Sequence, residues 1–435
     1  KLYRVNSSRP AGWGEVSHYY YEFYNSKYVY NPDVKWETTI TRNIGLDFGF
    51  FNNRLSGTID AYWNTTKDLL MCIPIDETTG YSYQYQNIGQ TSNKGIEIAL
   101  NYDILRTKDF TLGVSATYNY NHNNIDELAD NIIAQYGSQW ASSATTPTYD
   151  YEFREGKPVG LIRGYICDGY YTTADFNYDP ATKTYTLKPG VADLGNQVGN
   201  YPSHYNLPEG QKAFPGAVKL RDLDGNGVAD TEDVADLGEI THPHTGGFNL
   251  NMTWKDIDFS AGFAWAAGGH VYNVNSLINM YGNKDTGAGA NKLEFISDCY
   301  QIYDIQNGEL VPVVEPDALD ALNTGAKYGV PYMENGTVLS TFVEDASFLR
   351  LNTLTVGYTF PKAWTKKIGM QRARVYATAG NLFTITGYSG IDPEVNADPN
   401  KSTTAANTGN YPLLGMDYGT YPRARTFTFG VNITF

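Results

Sequence analysis

Stretches in which apolar and small polar residues alternate dominate the sequence. In RTFTFGVNITF, Arg425 to Phe435, every second residue from Phe427 onward is aromatic or aliphatic, and the residues between them are Thr, Gly or Asn. Successive side chains of a β-strand point to opposite faces of its sheet, so this pattern predicts a strand with one apolar and one polar face. The same alternation recurs at Leu55–Trp63, Gly95–Asp103, Phe110–Asn121, Phe248–Trp254 and Ile257–Trp265.

The apolar faces of these stretches have the dimensions of membrane-crossing strands. Each is about long enough to cross a bilayer when tilted, and many end in Tyr or Trp, as an aromatic girdle would. The mean hydropathy of −0.41 does not oppose this interpretation, because lipid-facing and lumen-facing residues alternate in a transmembrane barrel. The 36 Tyr and 43 Gly also suit membrane interfaces, turns and crowded barrel faces.

The predicted connections alternate between short and long. Short turns are expected at FNNR, RTKD, KD and PKAWTKKIGMQR, whereas long loops follow Cys72, Asn124, Val271 and Thr386. Short turns on one side and long loops on the other are typical of outer-membrane barrels, with the turns in the periplasm. The fold prediction is therefore all-β: a transmembrane antiparallel β-barrel of about nine strands. Bacterial single-chain barrels have an even number of strands, so we expect the chain to be the C-terminal part of a longer protein.

The pattern divides the chain into six segments. Loop segments are expected on the extracellular side, and strand segments within the membrane. The predicted segments are 1–33, an extracellular loop entering the barrel; 34–124, barrel strands; 125–240, a long extracellular loop; 241–271, barrel strands; 272–344, a second long extracellular loop; and 345–435, the final strands with the closing strand.

Charge, cysteine usage and motifs exclude several classes of function. The net charge of −15 argues against nucleic acid, since a binder of phosphates needs a basic patch. Cys72, Cys167 and Cys299 are far apart and give neither a disulfide framework nor a metal-ligand spacing. No nucleophile elbow, phosphate loop or HExxH sequence occurs, and paired carboxylates lie only in loops. We predict that the chain carries no enzyme activity.

The segment DLDGNGVADTED, Asp222 to Asp233, matches the calcium loop of EF-hands. Oxygen ligands at alternate positions converge when the chain turns sharply at the central Gly227. Position twelve holds Asp233 in place of Glu, and no flanking helices are evident. The competing interpretation is a solvated Asp/Asn/Gly turn. The predicted ligands are Asp222, Asp224, Asn226, the backbone carbonyl of Val228, Asp230 and Asp233.

Two further groups of residues are candidate binding features. The aromatic run His18–Tyr30 could stack on sugar rings, but interface packing is the favoured interpretation. His242 and His244 lie two residues apart and could share a metal, yet no third ligand is visible nearby. An ordinary strand entrance is favoured for that pair.

Several blocks of the sequence resemble one known family, the SusC/RagA-type TonB-dependent transporters. These blocks are NPDVKWETT (Asn31 to Thr39), NIGQTSNKGIEI (Asn87 to Ile98), RDLDGNGVAD (Arg221 to Asp230), DASFLRLNTLTVGYTFP (Asp345 to Pro361), AGNLFTITGYSGIDPEV (Ala379 to Val395) and the terminal FTFGVNITF. Together they cover nearly the whole chain.

The resemblance implies an outer-membrane barrel of about 22 strands, of which this chain would supply roughly the second half, without the plug domain. It also implies a Bacteroidota-type bacterium, a SusD-like surface lipoprotein over the extracellular mouth, and TonB as energy source through an absent N-terminal part. The implied cargo is an oligosaccharide, and an oligopeptide is the first alternative. A passive porin, a surface adhesin and a soluble β-rich binding module remain as rival interpretations.

Overall fold

The computed structural model describes most of the chain. The described residues are 3–6, 20–23, 28–76, 78, 81, 83–128, 134–136, 151–198, 204–280, 294–331, 338–395, 415–417, 419 and 421–435.

The main feature is one antiparallel sheet of nine strands, each hydrogen-bonded to the next along the chain. This order follows from strands joined by hairpins and loops without crossovers. The sheet is open, with β1 and β9 at its edges. The strands are β1 Thr38–Phe50, β2 Leu55–Lys67, β3 Gly89–Arg106, β4 Phe110–Leu128, β5 His244–Trp254, β6 Ile257–Ala267, β7 Phe348–Thr359, β8 Arg372–Thr386 and β9 Thr426–Thr434.

The register separates the two faces as the alternation predicts. One row of directly opposed residues runs through Leu46, Ile59, Ile98 and Tyr118, and we call its side the outer face. The opposite side, the inner face, carries rows such as Ser56, Asn101, Ser115 and Asn249. Because a slip of one residue would exchange the faces, this matching of apolar with apolar residues fixes the register. The all-β barrel prediction is confirmed.

The connections alternate in length as expected. Four short turns, at residues 51–54, 107–109, 255–256 and 360–371, join the strands at one end of the sheet. The first contains three consecutive non-glycine residues with positive φ, Phe51, Asn52 and Asn53. Long segments at residues 68–88, 129–243, 268–347 and 387–425 join the strands at the other end.

Small sheets and short helices lie in the long segments and in the residues that precede β1. The paired strands are Tyr3–Asn6 with Tyr20–Phe23; Tyr28–Val29 and Leu70–Pro74 with Tyr83–Asn87; Ala134–Tyr136, Tyr151–Phe153, Leu161–Gly164 and Ala235–Glu239 in one sheet; Cys167–Tyr170 with Val218–Leu220; Phe176–Asp179 with Thr184–Leu187; His270–Tyr272 with Val343–Asp345; and Tyr303–Gln306 with Glu309–Pro312. The helices are α1 Val274–Met280 and α2 Pro316–Leu322, while α3 Lys362–Thr365 lies in a short turn; 3₁₀ turns occur at Thr173–Asp175, Thr231–Asp233, Glu294–Asp298, Ser340–Phe342 and Lys366–Ile368.

The buried apolar core lies outside the sheet, in the long segments. Its residues come from segments 129–243 and 268–347, with Met416 from a third segment. Fully buried members include Ile162, Tyr185, Phe214 and Leu319. In the part of the chain that the structure describes, no helix has the length and apolar character needed to span a bilayer.

Candidate functional site

The inner face of the sheet forms a polar wall. Thr355 and Thr378 face each other on β7 and β8 with their hydroxyl oxygens 2.9 Å apart. Asp258 on β6 is paired with Arg374 on β8, and the pair passes over Gly357 of the strand between them. A side chain at position 357 would occupy the space of this ion pair, which explains the Gly. The inner face thus carries hydroxyl, amide and carboxylate groups that can bind a water-soluble ligand.

The two longest segments form one folded unit above this wall. The Tyr165 amide donates to the Val338 carbonyl at 2.9 Å, and the Ser340 amide donates to the Tyr165 carbonyl at 2.9 Å. The buried hydroxyl of Tyr185 donates to the Val314 carbonyl at 2.6 Å. Buried polar groups need partners, so these bonds fix one segment against the other. The two longest segments therefore form a single packed unit, which we call the folded unit.

A hydrogen-bonded network joins two segments at the mouth of the sheet. The buried amide of Asn273 donates to Glu344 at 2.9 Å and to Ser389 at 3.1 Å. The Tyr388 hydroxyl donates to Asp417 at 2.7 Å. Burial, with the nearby Asp417 carboxylate, raises the pKa of Tyr388, which remains a protonated donor.

A buried ion-pair cluster anchors the segment 387–425 to the sheet. Arg350 on β7 is 1% exposed and lies 2.6 Å from an oxygen of Asp392 and 3.0 Å from one of Glu394. Arg423, which is more exposed, contacts Glu394 at 3.1 Å. Sequence reasoning missed this cluster. The only local signal was an Arg within the apolar stretch FLRLN, because its partners lie more than 40 residues further along the chain.

The loop 222–233 folds as a tight acidic turn. Both carboxylate oxygens of Asp222 accept backbone N–H bonds, from Gly225 at 2.7 Å and Gly227 at 2.8 Å. The Gly227 bond is the main reason why the pKa of Asp222 lies below its usual value. Gly225 and Gly227 have φ of 78° and 91°, values that L-residues with a side chain rarely adopt.

The predicted calcium ligands are brought together only in part. Carboxylate oxygens of Asp222, Asp224 and Asp233 lie within 4.8 Å of one another. Asp233 is fully buried and accepts backbone bonds from Leu223 and Asp230.

The other predicted ligands lie beside these three carboxylates. Asn226 donates from its side-chain amide to Asp230 at 2.9 Å. Backbone bonds between Asp193 and the residues flanking Val228 fix the peptide of position seven. The hard oxygen donors of the carboxylate trio fit Ca²⁺. Strands, Val218–Leu220 and Ala235–Glu239, flank the loop.

The histidine pair does not share a partner. The Nε2 atom of His242 lies 3.1 Å from the Ala346 carbonyl, and the Nδ1 atom of His244 lies 2.9 Å from the Tyr118 hydroxyl. His244 is the first residue of β5, so the favoured strand entrance is confirmed.

Within the aromatic run His18–Tyr30, the described residues are 20–23 and 28–30, and the others lie outside the described part. Within the described part, Tyr28 stacks on Tyr85 with ring centroids 5.6 Å apart. Tyr30 is 83% exposed.

Two of the cysteines are free thiols. Cys167 is half-buried and Cys299 is buried. Burial raises the pKa of the Cys299 thiol to about 11, so this thiol stays neutral and packs as a small apolar group. The side chain of Cys72 lies outside the described part.

Comparison with known proteins places the chain in a family. The model of the family described as "TonB dependent receptor-like, beta-barrel" matches residues 6–207. TonB-dependent receptor P3 of Formosa agariphila is 31% identical over 93% of this chain, which covers 35% of that relative. TonB-dependent receptor SusC of Bacteroides thetaiotaomicron is 29% identical over 94% of the chain, which covers 33% of it. The chain therefore spans about a third of the length of these curated relatives.

A solved structure has the same fold. The structure of the RagAB peptide transporter matches with a TM-score of 0.65 and 23% identity, over 100% of this chain and 38% of that one. At this identity the likeness concerns the fold alone. Together with the relatives, it confirms the resemblance carried by the sequence blocks. The chain belongs to the TonB-dependent receptors as a β-barrel portion of the SusC/RagA type, and its place is the outer membrane.

Proposed function

We propose that the protein containing this chain imports oligosaccharides across the outer membrane, with energy from TonB and with a SusD-like surface lipoprotein. The family is a class of receptors and transporters, and one relative bears the name SusC. The observation that carries the proposal is the polar inner wall beneath a folded extracellular unit. Hydroxyl and amide groups, such as the facing Thr355 and Thr378, bond to sugar hydroxyls without imposing a charge on the cargo.

An oligopeptide is the second candidate, and a specific pair of residues favours it. Asp60 on β2 and Glu97 on β3 are directly opposed on the inner face. Like charges in this position destabilise a sheet, so a functional reason for them is a cationic ligand. One solved structure with this fold is described as a peptide transporter, although that likeness concerns architecture only.

Uptake measurements distinguish the two cargoes. A strain lacking the full-length receptor is complemented with the wild-type gene or with Asp60→Asn/Glu97→Gln. Growth is then measured on a panel of oligosaccharides and on a defined mixture of basic oligopeptides. The oligosaccharide proposal expects receptor-dependent growth on at least one glycan, retained in the double variant. Receptor-dependent growth on peptides alone, lost in that variant, would establish the second candidate.

The surface lipoprotein is tested by purification. We expect a lipoprotein anchored in the outer membrane to copurify with the full-length receptor in equal amounts. A receptor that purifies alone, yet still imports glycan, would remove the partner from the proposal while leaving the transport function intact.

We also propose that the loop 222–233 binds Ca²⁺. Support comes from the converging carboxylates of Asp222, Asp224 and Asp233, and from the sharp turns at Gly225 and Gly227. The proposed ligands also include Asn226, the Val228 carbonyl and Asp230. A bound ion would neutralise this acidic turn and hold the loop against the folded unit.

Calorimetry on chelator-treated, full-length receptor tests the calcium proposal. We expect a dissociation constant between about 1 µM and 1 mM, the range of sensor and extracellular sites. Asp222→Asn/Asp224→Asn should abolish the heat of binding. Glu232→Gln is the matched control, since this exposed acid lies in the same loop but outside the ligand template. No heat with the wild-type protein would contradict the proposal.

A further inference from the structure

The outer face of the sheet changes character near its extracellular end. Directly opposed residues Arg42, Trp63, Lys94 and His122 form one row across β1 to β4, which we call the basic row. The next row toward the short turns is Ile44, Ala61, Ile96, Tyr120 and His244. Both rows share the parity of the outer face. Two of these four residues, Arg42 on β1 and Lys94 on β3, are cations, whereas the next row carries Ile44 and Ile96 on the same two strands.

The level of the basic row coincides with the membrane boundary. Arg42 lies eight residues before Phe50, the last residue of β1 at the short-turn end. At about 3.4 Å per residue and a tilt of about 40°, that is roughly 20 Å of height. The apolar band of such barrels is about 25 Å tall. The row thus lies at the upper edge of the band, where long basic side chains can reach the headgroups.

Aromatic side chains mark the same boundary. Trp63 lies within the basic row and is 45% exposed. In the rows below it, Tyr118 and Tyr120 pack with the His244 ring, at centroid distances of 6.1 and 5.0 Å. Tyr118 also stacks on Trp265. An aromatic girdle at this height is the usual neighbour of lipid headgroups.

The cations of the row are not neutralised by the sheet. Arg42 and Lys94 are exposed, as is Lys67, which lies on the same face two rows beyond the basic row, opposite Thr38. Among the residues that the structure describes, no ion pair joins these three side chains to a carboxylate.

One carboxylate approaches the row. Asp126 interacts electrostatically with Lys94. Its oxygens already accept hydrogen bonds from Ser92 at 2.7 Å and from Asn124 at 2.8 Å. The two cations of the row, Arg42 and Lys94, against this one acid leave the row positive, although the whole chain has a net charge of −15.

We propose that the basic row, with Lys67, binds the phosphorylated headgroup of a glycolipid in the outer leaflet. The outer leaflet of a bacterial outer membrane is built from phosphorylated glycolipids, so anionic groups meet the row at its own height. Arg42 and Lys94 would contact the phosphates, and Trp63 would lie against the sugar. The acyl chains would pack on Ile44 and Ile96, which are 70% and 43% exposed. This site is separate from the lumen and from the proposed import.

Lipid binding to the full-length receptor tests this proposal. Native mass spectrometry in detergent measures binding of bisphosphorylated lipid A to the wild type and to Arg42→Gln/Lys67→Gln/Lys94→Gln. Because each basic residue near an anionic headgroup multiplies affinity about fivefold, the variant should bind on the order of 100-fold more weakly. The matched control removes three exposed lysines from the opposite end of the sheet, Lys362→Gln/Lys366→Gln/Lys367→Gln. It should bind as the wild type does.

Competing ligands identify the source of the phosphate. Lipid A without phosphates but with the same acyl chains should bind as weakly as the triple variant does. Inorganic phosphate at millimolar concentration should not displace the lipid, whereas displacement would overturn the lipid assignment. Equal binding of the dephosphorylated lipid, or wild-type affinity in the triple variant, would also refute the proposal. If the triple variant fails to fold, Lys94→Gln alone should still weaken binding about fivefold.

Discussion

The sheet and the folded unit of the two longest segments bury apolar residues in opposite ways. In the sheet, large apolar side chains such as Phe429 and Ile44 face outward and remain 80% and 70% exposed to the surroundings, which are lipid in the outer membrane. In the folded unit, Tyr185 and Phe214 are buried among other side chains, as in a water-soluble domain. One chain thus places apolar side chains against lipid in one region and inside a core of its own in the other. The difference teaches that the long loops are not passive connections, because they have a core of their own.

The largest effect should come from breaking the anchor between the two regions. Arg350→Met leaves the carboxylates of Asp392 and Glu394 without their buried cation. Breaking a buried pair costs about 3–5 kcal/mol, so we expect segment 387–425 to detach from the sheet. Limited proteolysis of the full-length receptor should show new cleavage within this segment, while the nine-stranded sheet stays folded.

Arg423→Met is the control for that experiment, because its side chain is 54% exposed. It should change cleavage far less. Equal protection of wild type and Arg350→Met would mean that other contacts hold the segment in place.

A substitution in the core of the folded unit tests whether this unit unfolds independently of the sheet. Phe214→Ala, at a position 1% exposed, should cost the unit about 3–5 kcal/mol. We expect faster amide hydrogen exchange throughout segments 129–243 and 268–347, which share this core. Exchange in β4 and β5 should remain unchanged. Acceleration in the sheet as well would show that the two regions unfold as one.

The two faces of the sheet can be compared at neighbouring positions. Leu250 and Asn251 of β5 lie on the outer and inner face respectively. Leu250→Arg places a charge against lipid near the middle of the strand, which costs about 2–4 kcal/mol. Asn251→Arg points the same charge into the lumen, where we expect little loss. The measured quantity is the amount of folded receptor in the outer membrane, detected by its altered mobility in unheated gels.

The smallest effect should be an acid-dependent loss of stability in the folded unit. The Arg221 guanidinium, 2.5 Å from Asp168, holds the pKa of this carboxyl below its usual range. Its stabilisation is therefore present above the unfolded pKa of about 3.9 and is lost as the pH falls through the lower folded value.

Both side chains of this pair are more than a third exposed, so Asp168→Asn should cost less than about 1 kcal/mol. Thermal melting between pH 7 and pH 2.5 checks this. An unchanged acid dependence in the variant would assign that dependence to other carboxylates.

The two regions differ in how far the sequence predicts them. The two faces of each strand in the sheet lie in different environments. The alternation of apolar and polar residues, such as Phe427 and Thr428, therefore predicts these strands from the sequence. The residues that form the core of the folded unit show no such alternation along the sequence. Tyr185 and Val314 meet across 129 residues of chain, and no local pattern encodes that contact.

The sequence predicts the candidate calcium loop only in part. The spacing of Asp222, Asp224 and Asp233 is a local pattern, and it matches the calcium loop of EF-hands. The bonds that fix Val228 against Asp193 depend on the surrounding fold and could not be predicted from the sequence. The Arg350 cluster was missed for the same reason.

The shared core of the long segments has a consequence for the proposed import. Separate loops would each lose conformational freedom when a ligand bound, and that loss would weaken binding. Here contacts such as that of Tyr185 with Val314 already order the two longest segments. A cargo of the proposed transporter would therefore meet a surface that folding has already ordered, and its binding would cost little further conformational entropy.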